Sequence, residues 1–132
     1  MEQLEDRTML SAGVVLGSTS RIVSDSVLDS GGKIVLAGYE RKPTGSSNGI
    51  SLQRYNPDGT LDTSFGTAGA VTTTVGSGAT AKGVVAYPPK QSGHPDRILA
   101  VGSANVTQPD RYQPLYFALA RYNADGSLDD TF

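Results

Sequence analysis

The chain carries one pattern twice. Leu52-Gln53-Arg54-Tyr55-Asn56-Pro57-Asp58-Gly59-Thr60-Leu61-Asp62-Thr63-Ser64-Phe65 returns as Leu119-Ala120-Arg121-Tyr122-Asn123-Ala124-Asp125-Gly126-Ser127-Leu128-Asp129-Asp130-Thr131-Phe132, an offset of 67. A second block, Lys33-Ile34-Val35-Leu36-Ala37-Gly38, returns as Arg97-Ile98-Leu99-Ala100-Val101-Gly102 at an offset of 64, so the second copy holds three more residues between the blocks. Upstream, Ser26-Val27-Leu28 aligns with Gly83-Val84-Val85 at an offset of 57, which places seven further residues in the Pro88 to Pro95 turn. Insertions that fall in turns are what a structural repeat tolerates. Self-similarity on this scale demands stacked copies of one supersecondary unit.

The unit reads as strands. Ile22 to Leu28, Lys33 to Glu40 and Ile50 to Tyr55 are apolar and β-branched runs bounded by turn residues, and Lys82 to Tyr87, Arg97 to Ser103 and Leu115 to Tyr122 repeat them. Asp29-Ser30-Gly31-Gly32 closes the first hairpin, and Ala70 to Val75 supplies a β-branched strand after the Phe65-Gly66 corner, which makes four strands per unit. In Asn56-Pro57-Asp58-Gly59, Pro57 presets φ and Gly59 supplies a left-handed residue, a role that Gly126 takes in the second copy. No window keeps a 3.6-residue apolar period without a Gly or Pro, so the expected fold is all-β: two tandem four-stranded antiparallel units. The expected divisions are an acidic leader over 1–12, a first unit over 13–69 and a second over 70–132.

Composition narrows the chemistry. The 132 residues include no Cys and one His, His94, which removes disulfides, thiolate zinc sites and cysteine nucleophiles, and leaves imidazole chemistry without a second histidine. Eleven Lys and Arg stand against 13 Asp and Glu, a net charge of −2 that disfavours binding by phosphate neutralisation. No stretch has the length of a transmembrane helix.

Both blocks resemble the delta-60 repeat, a bacterial repeat whose core reads Gly-Lys-Ile-Leu-Val-Ala-Gly followed by Leu-Ala-Arg-Tyr-Asn-x-Asp-Gly-Ser-Leu-Asp-x-x-Phe-Gly. The resemblance covers residues 22–132. It implies tandem four-stranded units of β-propeller type in extracellular or cell-surface proteins, and implies no established enzymatic activity. A closed propeller typically takes about 4 to 8 blades. Two units that stop at Phe132, before the Gly of the repeat, point to a fragment of a longer array, or to an open pair of sheets that shelters its edges by self-association.

The first residues add a second resemblance. Leu4-Glu5-Asp6-Arg7-Thr8-Met9-Leu10 is similar to the Leu-Glu-x-Arg-x-x-Leu motif near the start of many large surface or exported proteins of environmental bacteria, which implies export. The basic residues that usually precede that motif are absent, and Ala12 to Leu16 is too short for a secretory signal. The expected location is extracellular or at the cell surface, with a cytoplasmic one still open.

Several short motifs suggest sites. Asn56, Asp58 and Asp62, repeated as Asn123, Asp125 and Asp129, have the alternating oxygens of a calcium loop. Its first position would fall on Arg54 or Arg121 and its last on Phe65 or Phe132, where acids belong, so a hairpin turn accounts for the same residues. Arg54 with Asp62, and Arg121 with Asp129, are expected to pair across that hairpin. Gly45-Ser46-Ser47-Asn48-Gly49 matches a nucleophile elbow by letter, but it lacks the following helix, and nothing ties Ser47 to His94 and Asp96. Gly76-Ser77-Gly78 after a strand imitates a dinucleotide fingerprint, but Gly83 and Pro88-Pro89 interrupt the helix it should open. Tyr39, Tyr55, Tyr87, Tyr112, Tyr116 and Tyr122 could stack on sugars, but Tyr55 and Tyr122 read as strand-end residues, half buried with wet hydroxyls. Asn105-Val106-Thr107 matches a glycosylation sequon, and Ser103 to Pro114 is the expected variable or binding loop.

The reading is a non-enzymatic structural or binding module with no catalytic residues and no cofactor. A calcium-stabilised ligand- or carbohydrate-binding module is the alternative, and a hydrolase has the least support.

Overall fold

A computed structural model of the chain describes residues 8–11, 14–16, 20–87, 95–110 and 112–132. His94, most of the Pro88 to Pro95 turn, and Leu4, Glu5 and Arg7 of the N-terminal motif lie outside the described residues. Nine strands and no helix occur among them. The strands β1 (Thr8–Ser11) and β2 (Val14–Leu16) form an antiparallel pair, so strand pairing reaches into the segment expected as a leader.

The first large sheet orders β3 (Arg21–Leu28), β4 (Ile34–Arg41), β5 (Ser47–Tyr55) and β6 (Ala70–Thr73) as consecutive antiparallel neighbours. The second orders β7 (Gly78–Tyr87), β8 (Arg97–Asn105) and β9 (Leu115–Tyr122) in the same way. The all-β expectation holds, with one correction: the second sheet has three strands among the described residues, not four. Ala70–Thr73, which opens the second unit in the sequence, hydrogen-bonds to β5 and completes the first sheet. The turn after Phe65 causes this: Gly66, Ala68 and Gly69 all take positive φ and send the chain back along β5.

The register corrects the upstream alignment. Val27 pairs with Val35 and Val85 with Leu99. Val27 therefore corresponds to Val85, an offset of 58 rather than 57. The two hairpins even share a bulge, between Val23 and Asp25 in one and between Ala81 and Gly83 in the other. A bulge adds one residue to one strand and increases its twist, so its recurrence marks a feature of the unit. Just beside it, Gly38 and Gly102 meet the partner strand so closely that a Cβ would collide with the carbonyl oxygens of Ile22 and Thr80.

The core lies between the two sheets. The first sheet offers Val35, Ala37, Ile50 and Leu52, with Phe65 from the corner, and the second offers Ala79, Ala81, Val84, Ile98, Ala100, Ala104, Ala120 and Tyr122. Facing sheets normally stand about 10 Å apart. Here the alanines of the second sheet let β7 approach β3, β4 and β5 closely. The approach is near enough for the Asp25 Oδ2 on β3 to accept a hydrogen bond from Val84 N on β7 at 2.9 Å. The second sheet turns Leu115, Phe117 and Leu119 outward on its other face, whereas on the first sheet Ser51, Gln53 and Tyr55 of β5 are buried on the other face as well.

Candidate functional site

The repeated residues with the most chemistry converge on a corner that follows the third strand of each unit. After β5, Asn56 N donates to Thr60 O at 2.8 Å and Gly59 N to Asn56 O at 2.9 Å, and after β9, Asn123 N and Gly126 N do the same to Ser127 O and Asn123 O. Gly59 and Gly126 have φ of 85° and 89°, the left-handed conformation expected of them. Asp58 Oδ1 accepts from Thr60 N and Oγ1, and Asp125 Oδ1 accepts from Ser127 N and Oγ, so both aspartates cap their own turns.

The chain then passes back beside the strand it left. Asp62 N donates to Arg54 O and Asp129 N to Arg121 O, both at 2.9 Å. The expected ion pairs form: Arg54 Nε donates to Asp62 Oδ2 at 2.7 Å and Arg121 Nε to Asp129 Oδ2 at 2.6 Å. A second cation that the sequence reading missed joins each pair, Lys33 Nζ at 2.7 Å from Asp62 Oδ2 and Arg97 Nη1 at 3.3 Å from Asp129 Oδ2. Lys33 and Arg97 open the other repeated block in both copies, which was the signal available in the sequence. The second oxygen of each carboxylate accepts from Ser64 or Thr131. Finally, the guanidinium carbons of Arg54 and Arg121 lie 4.5 and 4.6 Å from the ring centroids of Phe65 and Phe132.

These partners set the electrostatics. Burial pushes the Asp62 carboxyl up, but hydrogen bonds from Lys33, Ser64 and Arg54 outweigh it and hold the group well below its usual value of 3.8. The Thr131 hydroxyl, with Arg121, holds the Asp129 carboxyl down at about 2. Carboxylates so held stay ionised and have no free lone pair aimed at solvent, so they are poor general bases and poor cation ligands. The residues singled out for calcium do not converge on one point. Asp58 and Asp125 serve their turns, Asp62 and Asp129 serve the arginines, and Asn56 and Asn123 donate to Thr60 and Ser127 hydroxyls. No group of three or more His, Asp or Glu among the described residues is placed to hold a metal ion.

The other motifs resolve into scaffold. Ser46 lies in the turn before β5 and Ser47 opens that strand, and Gly76 and Ser77 form the turn between β6 and β7, each without a helix beside it. Asp96 accepts from Ser30 N at 2.7 Å and from Ser30 Oγ at 2.6 Å. Tyr122 is not half buried with a wet hydroxyl. It is fully buried, because β9 lays it over the first sheet, and its hydroxyl donates to Thr73 Oγ1 at 2.7 Å. Burial pushes its phenol above the ordinary value. Tyr55 is buried as well. Tyr112 and Tyr116 are the tyrosines left exposed among the described residues, and they line a groove with Gln108, Pro109, Asp110 and Pro114, Tyr112 within the expected binding loop and Tyr116 just past it on β9.

Polar bonds also cross between the sheets. Arg54 Nη1 donates to Ala124 O at 2.5 Å and Gly66 N donates to Asp125 O at 2.7 Å, so the first corner is locked to the second.

No curated protein and no solved structure matches the chain. A family model described as a beta-propeller domain of unknown function, DUF5122, matches residues 32–65 and 94–132. The two matched segments start at the second strand of each sheet or just before it and end at the Phe of each corner, so they fall on the same part of both units. With more than half of its residues inside that model, the chain belongs to the DUF5122 beta-propeller family, a family of the delta-60 repeat type.

Proposed function

We propose that this protein is a non-enzymatic β-propeller-type repeat module that serves as a structural or binding scaffold in a bacterial surface or secreted protein. The carrying observation is where its reactive side chains go. Asp62, Asp129, Arg54, Arg121, Lys33 and Arg97 all pair with one another at the corners. The surface reading draws on the Leu4-Glu5-x-Arg7-x-x-Leu10 resemblance. Protease treatment of intact bacteria that express the chain with a C-terminal epitope tests it. Loss of the epitope while a cytoplasmic marker persists is expected, and equal survival of both overturns the surface assignment.

The groove at Tyr112 and Tyr116 supports a second reading, a carbohydrate-binding module. Exposed aromatic planes offer stacking surfaces for the apolar C–H faces of sugars, and Asp110 and Gln108 supply hydrogen-bonding groups beside them. Oligosaccharide titration followed by tyrosine fluorescence is its test. Saturable binding that Tyr112→Ala abolishes supports the reading, and no response from a panel of bacterial-envelope and plant glycans removes it.

A further inference from the structure

The two large sheets end on the edge strands β3, β6, β7 and β9. An edge strand presents unpaired N–H and C=O groups to any passing strand, and folded proteins blunt it by shortening it, bulging it or charging it. A bulge beside Asp25 interrupts β3, a bulge at Lys82 interrupts β7, and β6 is only 4 residues long. β9 has no such device. Its pairing with β8 runs without a bulge from Leu115 to Tyr122, and Leu115 to Ala120 holds no charged residue, Gly or Pro.

The outer edge of β9 is also where the two units differ. In the first sheet Ile50 to Gln53 of β5 pair with β6. The equivalent residues, Phe117 to Ala120 of β9, pair outward with no strand among the described residues. Arg121 O accepts from Asp129 N outside the sheet, and backbone groups along a strand point alternately to its two sides, so Leu119, Phe117 and Leu115 turn their N–H and C=O to that same open edge. These residues are 50%, 86% and 70% exposed, so nothing described shields it.

We propose that β9 pairs antiparallel with β9 of a second copy of this chain, about a two-fold axis beside Phe117. Phe117 then exchanges both backbone hydrogen bonds with Phe117 of the second copy, and Leu115 and Leu119 exchange theirs with Leu119 and Leu115 of that copy, so every open N–H of the ladder meets a C=O. Directly opposed residues share a face of the sheet, which sets Phe117 against Phe117 and Leu115 against Leu119. The same strand suits this edge because the match is apolar throughout and opposes no like charges, the nearby Arg121 being held by Asp129. The return of the chain at Leu128 and Asp129 closes the edge beyond Arg121 and confines the ladder to Leu115 to Leu119. The contact is isologous, so it stops at two chains and joins their second sheets edge to edge. It goes beyond the scaffold reading and does not depend on cellular location.

Sedimentation velocity and amide hydrogen exchange on the full chain, from micromolar to hundreds of micromolar, test the proposal. The mass is expected to rise with concentration from the 13.7 kDa of one chain to that of two and to stop there, while the amides of Leu115, Phe117 and Leu119 become protected. Phe117→Pro removes the central N–H, which has no partner in the single chain, so it is expected to weaken pairing by at least about tenfold with far-UV circular dichroism of the monomer unchanged. Phe117→Thr keeps that N–H and loses the ring, and is expected to pair more tightly than Phe117→Pro. A wild-type chain that stays monomeric throughout overturns the proposal, as does a mass that grows past two chains. So does a dimer in which those amides exchange as fast as in the monomer, or one that Phe117→Thr weakens as much as Phe117→Pro, since either would assign the contact to side chains on the sheet face and not to the edge.

Discussion

Asp62 Oδ2 accepts hydrogen bonds from Arg54 Nε and Lys33 Nζ, each at 2.7 Å, and this three-residue link ties the first two repeated blocks of the sequence to one another. Asp129 does the same for the second unit through Arg121 and Arg97, but the arginines there are more exposed. Removing one partner of a buried ion pair leaves the other charge uncompensated, at a cost of about 3 kcal/mol or more. Asp62→Ala is therefore expected to destabilise by about 3 kcal/mol in urea unfolding. Asp129→Ala should cost less, because water can reach Arg97 and Arg121. Equal losses would mean that burial of the pair is not what sets the cost.

The same carboxyls predict the acid limb of stability. Both are held below the ordinary 3.8, Asp129 at about 2. Between those values the unfolded chain binds protons that the folded chain does not, so stability rises with pH through that window. It is fully present above about pH 5 and declines as pH falls toward about 2. Urea midpoints measured across that range should fall with acidification, and Asp129→Asn should flatten the slope. A variant with the slope of wild type would show that other groups carry the dependence.

The repeat and its corners were legible in the sequence because their causes are local. Asn, Asp and Gly at fixed spacing each have a backbone reason to stand in the turn, and Arg and Asp eight residues apart face each other once that turn forms. The rest depended on contacts between distant residues. Ser30 meets Asp96 across 66 positions, and the buried Tyr122 meets Thr73 across 49. The upstream offset emerged only from the pairing of β3 with β4 and of β7 with β8, and three positive-φ residues after Phe65 assigned β6 to the first sheet. The alternation of alanines along β7 and β8 showed a strand period but not which face would be covered.

The close backbone approach at Gly38 and Gly102 predicts a sensitivity that exposure would not suggest. A methyl group at either site collides with a carbonyl oxygen of the neighbouring strand, an overpacking that costs about 2 kcal/mol. Gly102→Ala should therefore lower the thermal midpoint clearly, and Gly45→Ala, whose Cβ meets nothing within 4 Å, should cost only the strain of its positive φ. Thermal unfolding of both variants checks the order. A Gly102→Ala variant as stable as wild type would show that the hairpin opens to accommodate the methyl.

Calcium offers the last discrimination. If the Asn-x-Asp-Gly turns held the ion, binding to the folded chain alone would raise the melting temperature as ligand concentration grows. The turns instead engage Asp58 and Asp125 with Thr60 and Ser127, and a cation near Asp62 or Asp129 would meet Lys33 and Arg54 or Arg97 and Arg121. Like charges at such distances repel. The midpoint is expected to be the same in millimolar calcium and in chelator. A rise that disappears in Asp58→Asn and Asp125→Asn would instead assign the ion to the turns and make the module calcium-stabilised.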